Sequence, residues 1–143
     1  MPPKKKNQTV IHEFACEIFP RKLWIVKKPP HGYLEKHFQT ADGEKLHEYD
    51  VEDAKAVTYK EIYNIDTDKL GILIVLLESN ITVSDCAHEA THFAMEMYAA
   101  IGEEVSTEHQ EVMAYLVGYA TDCIYQVVTN KFRPMFDGSR EIS

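Results

Sequence analysis

The segment from Thr82 to Gly102 constrains the chain more than any other. Thr82 followed by Asp85 is a capping-box pair, and Gly102 is a natural helix stop. Between them Val83, Cys86, Ala87, Ala90, Phe93, Ala94, Met97 and Ile101 recur with a 3.6-residue rhythm. The spacing predicts a helix over about 82–101 with one apolar face. At about 100° per residue, His88 and His92 fall on the other side with Asp85, Glu89 and Glu96. The preceding apolar run, Leu70 to Leu77, is short enough to be a strand and far too short to span a bilayer.

The rest of the chain sorts around this unit. A second helix is expected over about 107–128, with Thr107 and Gln110 as a capping pair and Asn130 and Pro134 closing it. In the N-terminal half, Phe14 to Phe19 and Leu23 to Val26 read as strands separated by Pro20-Arg21. Tyr33 to Gln39 reads as a short helix. Asp42-Gly43 marks a turn, followed by an acidic loop to Asp53, and Ala54 to Tyr63 reads as a strand. The expected class is α+β: a small mixed or antiparallel sheet packed against two principal helices. Residues 1–9 read as a basic tail containing Lys4-Lys5-Lys6, 10–130 as one domain, and 131–143 as an irregular tail.

Bulk properties narrow the function. At 143 residues one core is expected. The net charge of −8 disfavours nucleic acid or an anionic membrane as partner. No apolar stretch follows the basic start, so no signal peptide is expected. The cysteines Cys16, Cys86 and Cys123 are odd in number and form no CxxC pair, which suits a reducing, cytoplasmic setting. Cys86 and Cys123 fall on or beside apolar faces and read as core thiols.

His88-Glu89-Ala90-Thr91-His92 matches H-E-x-x-H. Residues four apart on a helix lie one above the other, so both imidazoles reach one ion. Glu89, a step round the helix, stands where a general base for metal-bound water is needed. A third ligand is sought on the second helix. Glu111 shares a face with Ala114, Tyr115, Gly118 and Asp122, whose small members would permit close approach to the first helix. Glu108 is its main rival. Tyr115, with Tyr119 second, is the candidate donor for an oxyanion.

Residues 70–125 resemble the core of the zincin metallopeptidases, in particular small gluzincins, in which an apolar strand, an HExxH helix and a glutamate on the next helix follow in order. Gln110 to Tyr115 resembles their Glu-x-x-Ala/Ser ligand pattern. The resemblance implies one Zn2+ per chain held by His88, His92 and Glu111, with Glu89 as base and a protein or peptide substrate. Small cytoplasmic members of this kind occur in bacteria and phages. It also implies that Leu70 to Leu77 is the sheet edge along which substrate lies. Tyr115 stands where thermolysin-like members carry an aspartate that orients a histidine, leaving Asp122 or Glu96 as substitutes. A zinc-binding regulator or interaction protein with little hydrolysis is the alternative expectation.

Overall fold

A computed structural model describes residues 8–16, 18–48 and 54–133. Its element order is β1 (Ile11–Phe14), β2 (Lys22–Lys27), α1 (Tyr33–His37), β3 (Phe38–Thr40), β4 (Ala56–Asn64), β5 (Lys69–Leu76), α2 (Val83–Ile101) and α3 (Glu111–Thr129). The strands form one mixed sheet in the order β1-β2-β5-β4-β3. β2 runs parallel to β5, and the other pairings are antiparallel. The α+β class, with helices packed on a sheet from the N-terminal half, is therefore as expected.

Both faces of the sheet are covered, which explains the unbroken apolar runs of β2 and β5. Leu23, Ile25, Ile72, Ile74 and Leu76 meet Cys86, Ala90, Phe93, Met97, Leu116 and Ile124 from the two long helices. Alternate residues Trp24, Val26, Leu73 and Val75 point the other way, against Leu34, Phe38 and Leu46. That period of two places neighbours in opposite layers. Gly71, in the middle of this sheet, leaves room for the Trp24 ring. A β-carbon there would lie 2.4 Å from the ring and 2.7 Å from the Lys22 carbonyl. Beside it β4 carries a bulge at Glu61, whose φ is 41° and whose carboxylate accepts from Arg21 Nε at 2.8 Å.

Several expectations are corrected. β1 occupies Ile11–Phe14 and not Phe14 to Phe19, because the chain turns after Cys16, where Phe19 N donates to the Cys16 carbonyl. The helix at Tyr33 stops at His37, and Phe38–Thr40 joins β4 as an edge strand. β5 is the central strand and not a sheet edge, since β2 and β4 use both of its hydrogen-bonding sides. α2 starts after Thr82 with a complete capping box and stops at Gly102, whose φ is 74°. α3 begins at Glu111, so the Thr107–Gln110 pair does not cap it, and Gln110 makes no side-chain cap bond. Gln8 to Val10 have no regular structure, yet the Thr9 carbonyl accepts from Tyr33 Oη. The Lys4–Lys6 cluster, the acidic residues 49–53 and the tail from Pro134 lie outside the described residues. Among the described residues no helix is long and apolar enough to cross a membrane.

Candidate metal centre

The HExxH segment occupies the second and third turns of α2. His88 and His92 project from its exposed side, and their Nε2 atoms come within 3.3 Å of each other. The rings are steeply inclined, at 73°, with centroids 4.9 Å apart. Two nitrogens sharing a tetrahedral zinc at bonds of ~2.0–2.1 Å would stand about 3.3 Å apart. The pair thus fits one corner-to-corner edge of a zinc coordination sphere. Such an ion also suits the chemistry of two imidazoles beside a carboxylate.

Glu89 departs from the sequence reading in its environment. It is 5% exposed and does not share the open face of the two histidines. Its place three residues after Cys86 and four before Phe93, both fully buried, turns it toward the sheet. There Thr58 of β4 donates from Oγ1 to Glu89 Oε1 at 3.0 Å. The second oxygen, Oε2, lies 3.9 Å from His88 Nε2. Burial raises the Glu89 carboxyl above its ordinary range; the Thr58 hydrogen bond, His88 and His92 oppose that shift.

A small open cleft of about 270 Å³ adjoins this carboxylate, lined by Lys55, Ala56, Ser84, Asp85, His88 and Glu89. Lys55 Nζ contacts Asp85 Oδ2 at 2.7 Å across its mouth. The same Asp85 oxygen accepts from the Thr82 backbone N–H at 2.9 Å, completing the cap. The Lys55 hydrogen bond, followed by the Thr82 N–H, holds the Asp85 carboxyl down to about 2. Thr58 and Lys55 are the members of this site that sequence reading missed. Their proximity depends on how β4 lies under α2, and no local pattern in either segment encodes that.

The remaining candidates are not gathered here. Glu111 is exposed at the first position of α3, and Glu108 is exposed just before it. Among the described residues no cluster of three or more His, Cys, Asp or Glu side chains is arranged to hold a metal. The face bearing Glu111, Ala114, Tyr115 and Gly118 is open, and nothing lies within 4 Å of a β-carbon built on Gly118. The expected close approach through small residues is therefore corrected. The inward face of α3 is the apolar one of Leu116, Ala120, Cys123, Ile124 and Val127. Tyr115 is half-exposed and stacks on Tyr119, with centroids 6.1 Å apart. Tyr119 is buried and donates from Oη to the Ala15 carbonyl, tying α3 to the segment after β1. Burial raises its phenol well above the ordinary range. Asp122, a suggested substitute for the missing aspartate, pairs with Arg133. All three cysteines are buried free thiols; burial raises Cys16 to about 12.

Comparison with known proteins adds no relative: no family model, curated protein or solved structure matches the chain.

Proposed function

We propose that this protein is a zinc-dependent metallohydrolase, with a peptide as its substrate class, in which His88 and His92 hold the metal and Glu89 is the general base. The observation that carries this reading is the convergence of the two Nε2 atoms, 3.3 Å apart, beside a buried carboxylate. Bound zinc would supply Lewis acidity and a water acidified toward neutral pH. Thr58 fixes Glu89 Oε1 and so leaves Oε2, on the histidine side, to take the proton. Burial of that carboxyl raises its proton affinity toward what a base working near neutrality requires. The third donor is assigned to Glu111, with Glu108 as rival, and oxyanion stabilisation to Tyr115; these rest on the resemblance of 110–115 to the gluzincin pattern. That the protein works in the cytoplasm belongs to the same reading.

One observation favours a second reading, a zinc-binding regulator without turnover. β5, the strand before the motif helix, is paired on both sides and offers no edge to a peptide.

The two readings separate by metal analysis and peptide cleavage. About one zinc per chain is expected in the purified protein, and His92→Ala abolishes it. A wild-type chain that takes up no zinc on reconstitution overturns both readings. Glu89→Gln keeps the metal and loses cleavage of host peptides by a factor on the order of 100 or more. Full biological effect from that variant selects the regulator. Glu111→Ala weakens zinc affinity more than Glu108→Ala; the reverse order reassigns the ligand.

A further inference from the structure

A larger cavity, of about 690 Å³, lies apart from the metal centre and shares no lining residue with its cleft. It sits on the helix side of the sheet, where the parallel strands β2 and β5 end at Lys27 and Leu76. This volume is within the ordinary range for small-molecule sites.

The lining has two parts. Leu76, Ile81 and Val128 form an apolar wall, contributed by the end of β5, the approach to α2 and the last turn of α3. Lys27, Lys28 and His12 supply nitrogen donors, against one carboxylate, Glu78. Lys27 and Lys28 against Glu78 leave the lining with a local excess of positive charge in a chain of net charge −8. These groups are also held in place. Lys28 N donates to the Leu76 carbonyl at 2.7 Å, strapping the two strand ends together. Lys28 Nζ donates to Ser79 Oγ at 3.0 Å, and the His12 ring stacks on Phe132 at 5.1 Å. Lys28 adopts φ 43°, a left-handed conformation that glycine or asparagine would hold at less cost. Lys28 thus combines a strained backbone conformation with a place in the cavity lining.

We infer that this cavity binds a small amphipathic organic anion, its charged group between Lys27 and Lys28 and its apolar body along Leu76, Ile81 and Val128. The inference is independent of zinc and of hydrolysis. Octanoate is a suitable probe, with 1-octanol as its uncharged counterpart. Titration into the full chain, followed by amide NMR, is expected to saturate at one site and to move the Lys28, Ser79 and Ile81 signals. Octanol binds about tenfold more weakly or worse. The double variant K27M/K28M loses about tenfold in octanoate affinity, and K27Q, which leaves the left-handed position untouched, loses about threefold. No saturation below about 10 mM, equal binding of octanol, or undiminished affinity in both variants overturns the proposal.

Discussion

Glu89 is the residue at which burial and ionisation pull in opposite directions. A carboxylate that is 5% exposed is costly to ionise, and Thr58, His88 and His92 offset only part of that cost. The folded state therefore holds the Glu89 proton more tightly than the unfolded chain, whose value is near 4.5. Between 4.5 and the raised folded value the native state binds the extra proton, so stability falls as pH rises through that window. Relative to Glu89→Gln, metal-free wild type is expected to lose stability on going from pH 4.5 toward neutrality. The Glu89→Gln chain lacks this component of the slope and is at least as stable at pH 7. Urea midpoints of both proteins across that range check it, and identical slopes would remove the buried-carboxylate assignment. His88, exposed one position earlier, is proposed as a ligand from its four-residue spacing to His92, which the sequence alone displays. The burial of Glu89 was half legible, since its offsets to Cys86 and Phe93 place it at the border of the apolar face.

Among the elements, α2 was the most readable because its signals are local. Thr82, Asp85 and Gly102 set its ends, and the structure keeps all three in those roles. Thr82→Ala is expected to cost about 1 kcal/mol. Lys55→Met acts on the same helix end through Asp85. With its carboxyl held at about 2, Asp85 contributes stability that is present above pH 4 and lost as pH falls toward 2. In Lys55→Met that acid-side loss shrinks, since the Lys55 hydrogen bond is the largest cause of the low value. Thermal midpoints at pH 3 and pH 7 measure the difference, and an unchanged acid loss would deny the lysine its role. The strands were harder to read. The continuous apolar composition of 70–77 is that of a strand covered on both faces, as β5 is. The zincin resemblance implies a sheet edge there, whereas β2 and β4 flank the strand. β1 and β3 were misplaced because four- and three-residue edge strands depend on their partners more than on their own sequence. α3 is legible from its apolar rhythm, but the face of Glu111, Ala114 and Gly118, expected to approach α2 closely, is open instead.

At the scale of the molecule, the sheet joins segments far apart in the chain. The β4–β5 hairpin closes over a four-residue turn, in which Asn64 Oδ1 accepts the amides of Asp66 and Thr67. By contrast, Leu23 of β2 meets Ile72 of β5 roughly fifty residues later. The hairpin is local and can form early, whereas docking β2 beside it must wait for a large loop to close. Trp24, the sole tryptophan, lies fully buried at that junction and reports on it. Asn64→Ala is expected to slow refolding as followed by Trp24 fluorescence. An effect confined to the unfolding rate would place the hairpin late. The same topology has a consequence during synthesis. Leu23 to Val26 leave the ribosome long before the strand that covers them exists. A chain halted before Lys69 would display Leu-Trp-Ile-Val without its central neighbour, a segment prone to self-association. A chain halted there is therefore expected to aggregate more readily than one that has reached Leu76.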